Sequence, residues 1–546
     1  MRQFRFLPLA LAGLLTACGG GGSSRALPAT APSPAPTLNA SGSAHFTITV
    51  PPKTVTSAQR SPRFVSANTQ SVIITLTSVA GHPFTGTLAE TAANLNVSNP
   101  SCSGTPLTCT IAVAAVAGSD IFTVSTYDAV QTGTSPATPA GNLLSTASVT
   151  VTVAAGQNNA PASPLVLDGV PVALAATFAT DTATIQHVTG SQAGGFSIVG
   201  SQPYTITISM QDASGATIVG SGTPTILSGN SAVTVTNVTG TTYKLQAKGY
   251  SATPVSITAS TPSGTAPSFT VKTIPELWVV LDNNVGIVGY ALFPGCSPVA
   301  CTPIASDAIT NVPFAYSIAF DPNGNLWVGD QTNGIYEFAP GTGPTPTPLA
   351  TITNIAAGLV DALGMTFDSA GKLWVADGGA PALVEFTPSN GATPLRTISG
   401  SFCSPTDVAM DPSGTLWALD SCAGQVIAYN TSTGVATGAS VLDNVPAQTN
   451  PTAVFLTFDP SGNLWLAGNT SAGIEKFTPP LTISSNPVAT ISSGVNASQG
   501  LAFDPAGNLY VANYNNSNVT AYVPTNGATP FATIGALNPI AVKVTP

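Results

Sequence analysis

Few side chains in this 546-residue chain can do chemistry. It carries 23 Asp+Glu, 13 Lys+Arg, three histidines and seven cysteines. His45, His82 and His187 all precede residue 273, so nothing built from the second half has a histidine base. All three read as exposed or half-buried strand and loop residues. The cysteines lack the C-x2-C pairs or nearby histidines that a zinc site needs. The nucleophile elbow G-x-S-x-G, the phosphate-cradling G-x-x-x-x-G-K-[ST] and the zinc motif H-E-x-x-H are all absent. A net charge of −10 excludes nucleic acid as a partner, because that needs clustered Lys and Arg.

The cysteines divide by position. The chain opens MRQFRFLPLALAGLLTACGGGGSS. Arg2 and Arg5 precede an apolar run, Phe6 to Leu15, that is too short to span a bilayer. Leu15-Thr16-Ala17-Cys18 then resembles the lipobox of bacterial lipoproteins. The resemblance implies a signal peptide over 1–17, cleavage before Cys18, and lipidation of Cys18. It also implies a membrane as partner through that anchor. Gly19, in place of Asp, points by the same analogy to the outer membrane or cell surface. No other segment reaches 18 uninterrupted apolar residues. The other six cysteines are an even number for a compartment that permits disulfides. Cys102 and Cys109 bracket SGTPLT, and Cys296 and Cys301 bracket SPVA. Cys403 and Cys422 flank the turn Asp411-Pro412-Ser413-Gly414 almost symmetrically. If that turn joins antiparallel strands, they face each other. Spacing alone leaves the connectivity open.

The elements that must position any site are strands. The 52 Gly and 47 Pro punctuate the chain, and charged residues are only 7%, which disfavours helices. Residues 18–42 are the anchor cysteine and a Gly/Pro/Ser tether. Extended polyproline II at about 3.1 Å per residue would give it a reach of roughly 75 Å. Residues 43–168 alternate as His45–Val50, Ser71–Thr77, Thr108–Ala114, Ile121–Tyr127 and Ser145–Val153. About seven such strands suit an immunoglobulin-like sandwich. Residues 169–272 repeat the theme with Tyr204–Gln211, Ser231–Val238, Tyr243–Ala247 and Val255–Ala259. DASGATIVGSGTPTILSGNSAVTV resembles bacterial Ig-like modules, which implies a spacer or adhesive role.

From residue 273 to 546 the chain is periodic. Ser317–Pro340, Gly364–Pro388, Asp407–Asn430, Phe455–Pro479 and Gly500–Pro524 share a phrase of the form F-D-P-x-G-N-L-W-V-x-D. Trp327, Trp374, Trp417, Trp465 and Tyr510 are spaced by 47, 43, 48 and 45 residues, the length of a four-stranded propeller blade. An incomplete unit at Glu276–Tyr290 lacks its first strand, and Asn538–Val542 supplies one at the other terminus. The expected fold is therefore all-β: two Ig-like β-sandwiches, then a six-bladed β-propeller closed by the C-terminal strand. The repeats resemble NHL repeats, streptogramin lyases and lactonase-type propellers. Those families include binding proteins, scaffolds and enzymes.

The resemblance frames the site. Streptogramin lyases use a histidine base beside a metal, and this half of the chain has no histidine. Lactonase-type propellers hold a divalent cation with Glu, Asn and Asp, which makes Ca or Mg the cofactor to consider. Asp330, Asp377, Asp420, Asn469 and Asn513 could offer oxygens, yet each reads as the same slot after Leu-Trp-Val-x, as a structural role predicts. Asp321, Asp368, Asp411, Asp459 and Asp504 open the hairpin turns and read as structural. The non-repeated Tyr316, Asp361, Asp407 and Gln499, placed just before the first strands, are the binding candidates. No catalytic or metal residue is assigned. The expected function is a cell-envelope lipoprotein presenting a non-catalytic binding propeller to a protein, glycan or small ligand. A metal-dependent lactonase or lyase and a purely structural envelope component are the alternatives.

Overall fold

A computed structural model describes residues 40–52, 65–80, 82–84, 90–133, 138–180, 187–220, 223–262, 264–282, 285–292, 303–339, 341, 343–353, 358–442, 453–468 and 473–545. Every described regular element is a β-strand. Cys18, Cys296, Cys301 and Asn469 lie outside the described residues.

Two face-to-face sheet pairs come first. In one, a four-stranded sheet around Gly42–Val50 and Leu107–Ala115 packs on a six-stranded sheet around Ser71–Val79, Gly118–Tyr127 and Leu143–Val153. Alternation drives this: Gly118–Tyr127 buries every second residue. Phe46, Ile48, Val72, Ile111, Phe122 and Val151 meet in the core between the sheets. Cys102 stands opposite Cys109 in the strand register and is bonded to it. The other pair joins a sheet around Tyr204–Gln211 and Thr242–Ala247 to one around Val255–Ala259 and Ser268–Ile274. Its core gathers Ile198, Ile206, Ile208, Leu245, Ile257 and Val271. Ser268–Ile274 lies in the latter sheet between Gly195–Val199 and Val255–Ala259.

Six four-stranded sheets follow, five of them built from four consecutive strands. The first is different: its innermost strand is Pro539–Val544, paired antiparallel to Glu276–Leu281. Each innermost strand packs on the next, in the order Ala315–Phe320, Ala362–Phe367, Pro405–Met410, Ala453–Phe458, Ser498–Phe503 and Pro539–Val544. The last of these also packs on the first. The inner strands thus form one cycle around a central channel.

The repeated phrase has a local cause. Asp411 Oδ1 accepts the backbone N–H groups of Ser413 and Thr415, closing the turn. Its Oδ2 accepts the indole N–H of Trp417 at 3.0 Å. Asp368 with Trp374 and Asp459 with Trp465 repeat this bond, and Asp504 takes the Tyr510 hydroxyl instead. These aspartates are structural, as the sequence suggested. The ring carried by each phrase is buried between adjacent sheets: Trp327 packs with Leu373, Val375 and Phe386 of the next sheet. Burying such a side chain contributes on the order of 3 kcal/mol.

Candidate functional site

In five sheets the first residue of the inner strand faces the last residue of the second strand. The pairs are Ala315–Asp330, Ala362–Asp377, Pro405–Asp420, Ala453–Gly468 and Ser498–Asn513. These ends, with the loops leading into them, make one mouth of the channel. The strand register slips immediately after each pair, leaving one unpaired residue. These are Tyr316, Leu363, Thr406, Val454 and Gln499, and a matching slip in the first sheet leaves Ile540. A bulge of this kind re-aims a side chain. Around the cycle the bulged residues alternate polar and apolar.

Tyr316 carries the most consequence. Its ring stacks on Phe455, with centroids 6.0 Å apart. Their strands are three steps apart in a cycle of six and so lie on opposite sides of the channel. Tyr316 packs at once with the cluster of Trp278 and Ile540 and with that of Phe455 and Val511. The channel is therefore plugged at this level. Burial pushes the phenol up to about 12, and the carboxylates of Asp407, Asp361 and Asp282 add to the shift.

The four sequence candidates separate on inspection. Tyr316, Asp407 and Gln499 lie within the inner strands, not before them, and only Asp361 precedes its strand. The bulge is the reason, since it brings the second strand position up to the mouth. Asp407 is buried and fully engaged: Oδ1 accepts the N–H of Val408 and Oδ2 that of Leu456 in the next sheet, both at 2.9 Å. Burial pushes it up to about 6, against the pull of Lys543 from the opposite inner strand and of the two amides. It is a cross-tie between neighbouring sheets. Asp361 is half-buried, and its Oδ1 has no hydrogen-bond partner. Burial, then the charge of Asp377, raises it. Gln499 is the half-buried bulge of the sixth sheet.

The slot that could offer a cation its oxygens is largely taken up by loop amides, while Asp330 Oδ2 is buried without a hydrogen-bond partner. Asp377 accepts the N–H groups of Val360, Asp361, Gly379 and Ala380. Asp330 accepts those of Thr332 and Asn333, and Asp420 those of Cys403 and Ser404. In the fifth sheet the fifth position is Gly468 rather than Asn469, and Ser498 Oγ donates to its carbonyl. These groups shape loops, and among the described residues Asp330, Asp377 and Asp420 form no common acidic cluster. Cys403, Asp420 and Cys422 do cluster, but the two sulfurs are joined as a disulfide.

Four further mouth residues carry no signal in the sequence. Tyr514 donates its hydroxyl to Asp282 across the first and sixth sheets. Phe314 and Val360 stand exposed on the loops entering the second and third sheets. No motif marks them, because the loops that carry them differ from sheet to sheet. The mouth thus combines tyrosines, an apolar rim and the carboxylates of Asp282 and Asp361. Elsewhere, clefts of about 470 and 360 Å³ open in the second sandwich, and neither is lined by a charged side chain.

No protein-family model and no curated protein matches the sequence. Among solved structures, the chain is similar to virginiamycin B lyase from Staphylococcus aureus at 17% identity and a TM-score of 0.30, covering 41% of this chain and 72% of that one. It is similar to a chain of the nidogen/laminin complex at 14% identity and a TM-score of 0.38, covering 50% and 98%. It is also similar to an auxiliary nutrient binding protein from Bacteroides thetaiotaomicron at 13% identity and a TM-score of 0.34, covering 63% and 90%. The strand order and the cycle of inner strands are those of a β-propeller.

Proposed function

We propose that this chain is a cell-envelope lipoprotein, anchored through Cys18, whose six-bladed propeller binds a ligand at its mouth without transforming it. Two Ig-like modules and the 19–42 tether carry the propeller away from an outer membrane. The observation that carries this reading is the Tyr316–Phe455 stack. The two rings meet across the cycle of inner strands, and in this reading they form the floor of a binding site edged by Asp361 and Asp282. A site of this chemistry suits a ligand with a cationic group and an apolar body, through charge pairing and cation–π contact. The lactonase or lyase reading is weaker, because Asp377 and Asp420 are committed to loop amides on both carboxylate oxygens.

The test is fluorescence anisotropy with a dansylated primary amine and a dansylated carboxylate. The amine binds and the carboxylate does not. Asp361→Asn with Asp282→Asn weakens the amine about tenfold, the equivalent of roughly 1.4 kcal/mol. Equal binding of both probes overturns the ligand class. Palmitate labelling of the wild type but not of Cys18→Ala tests the anchor, and an unlabelled wild type refutes it.

A further inference from the structure

Away from the mouth, a chain of buried ionisable groups joins the second sandwich to the first sheet of the ring. Glu276 opens the strand Glu276–Leu281, and Asp307 lies on the outer strand Pro303–Ile309 of the same sheet. Gly286–Ala291 runs between them. The register of the outer strand slips next to Gly289, which places Asp307 among the extra residues. The Glu276 side chain lies across Gly289: a Cβ there would come within 2.1 Å of Glu276 Oε1 and 3.0 Å of Asp307 Cβ. Only glycine leaves room for the two carboxyl groups to approach.

The sandwich supplies the third member. His187, just before the strand Val188–Ser191, puts Nε2 2.7 Å from Asp307 Oδ2. The sequence reading had this histidine exposed or half-buried. It is 6% exposed, with Asp307 at 1% and Glu276 at 0%, because the two units close over it. Gln202 and the backbone at Gly200 press on the other side of Glu276. Tyr204 lies beside the imidazole, with ring centroids 6.2 Å apart. The groups facing Glu276 are thus Asp307 and Trp278 from its own sheet and Gly200 and Gln202 from the sandwich, with His187 and Tyr204 beyond Asp307.

The charges count unevenly. Burial, then the adjacent Asp307, holds the Glu276 carboxyl well above the usual carboxylate range. Its contact with Asp307 raises it further, and its contact with Trp278 pulls the other way. With Glu276 neutral, Asp307 keeps the imidazole of His187 as its partner. With Glu276 ionised, a charge sits in a dry space beside Asp307, an arrangement that burial penalises heavily. Hydration would relieve it, and the space lies where the sandwich meets the sheet.

We propose that Glu276, Asp307 and His187 form a proton-operated latch between the second sandwich and the propeller. The two units are held in one arrangement while Glu276 keeps its proton, and they loosen when it is lost. The latch sets how the propeller is presented on its stalk, independently of what the mouth binds.

Small-angle scattering of the full chain from pH 5 to pH 9, at fixed salt, tests this. The wild type extends reversibly as pH rises. Glu276→Gln stays compact throughout, and His187→Gln is extended at both ends of the range. Hydrogen exchange at the Gly200 amide, which bonds the Ile274 carbonyl, reads the same junction in the wild type without any substitution. Protection there falls as pH rises, after correction for the intrinsic rate. Unchanged dimensions and protection across the range overturn the latch. So does a pH response of Glu276→Gln that matches the wild type.

Discussion

Tyr316 and Phe455 stack across the channel from strands on opposite sides of the ring. The contact ties the second sheet to the fifth, which share no strand pairing. Truncating Tyr316 to Ala removes the floor of the proposed site and costs roughly 2–4 kcal/mol. Tyr316→Phe keeps the stack and stays within about 1 kcal/mol of the wild type. Urea unfolding of the two variants side by side checks this. Equal losses would mean that the hydroxyl matters more than the ring.

Asp407 gives a stability slope of one sign. Burial raises its folded-state value to about 6, above the unfolded carboxylate. Its contribution is therefore full below about pH 4 and is lost as pH rises through 6. A shift of about two units corresponds to roughly 3 kcal/mol. Asp407→Asn gives up one of the two amide bonds but also loses this slope. Thermal midpoints at pH 5 and pH 7.5 should differ less in the variant than in the wild type.

Asp459 gives the opposite sign. Burial pulls it upward, but bonds from Asn463 and Trp465 and the charge of Lys476 outweigh that and hold it below the usual range. Asp411 is lowered in the same way by Ser413, Thr415 and Trp417. These groups contribute stability above the unfolded carboxylate value, and it is lost as pH falls through their folded values. Asp459 is buried and Asp411 half-buried, and each rests on hydrogen bonds worth about 1 kcal/mol apiece. Asp459→Ala should lower stability at pH 7 and flatten the acid limb below pH 4, followed by tryptophan fluorescence.

The disulfide between Cys403 and Cys422 closes a loop with a sequence separation of 19. Closure of that length is worth about 3 kcal/mol through the unfolded chain. The double variant Cys403→Ser with Cys422→Ser should lose that amount. Adding Cys102→Ser with Cys109→Ser to that variant should bring a further loss from the other bridge among the described residues. Chemical denaturation of the single-bridge and two-bridge variants separates the two contributions.

Gly364 is fixed by a neighbour rather than by its own turn. A Cβ there would lie 2.5 Å from the Cα of Asp407 in the next inner strand. Gly364→Ala must push the third and fourth sheets apart, with a cost of about 1–3 kcal/mol. Gly507→Ala, at a turn with open space around it but a φ of 88°, should cost only about 1 kcal/mol through backbone strain. Similar losses in the two variants would argue against close packing at the channel.

The sequence by itself determined the strands and their repetition. Tyr204–Gln211 and Val255–Ala259 fall where alternation put them, because a side-chain period of two is written in neighbouring residues. The turn aspartates and their tryptophans were legible for the same reason: six residues separate Asp411 from Trp417, and one hairpin brings them together. The unpaired strand Pro539–Val544 was legible as the missing piece of the first unit. What only the tertiary structure decided involves residues far apart in the chain. Nothing near Tyr316 announces Phe455, since their contact depends on six sheets closing into one cycle. Nothing near His187 announces Asp307, 120 residues later. The bulges that lift Tyr316 and Gln499 to the mouth come from register between strands, which no single strand contains. Local periodicity is enough to specify blades. Where charges are buried, and which of them meet, follows from how the blades and the second sandwich exclude water together.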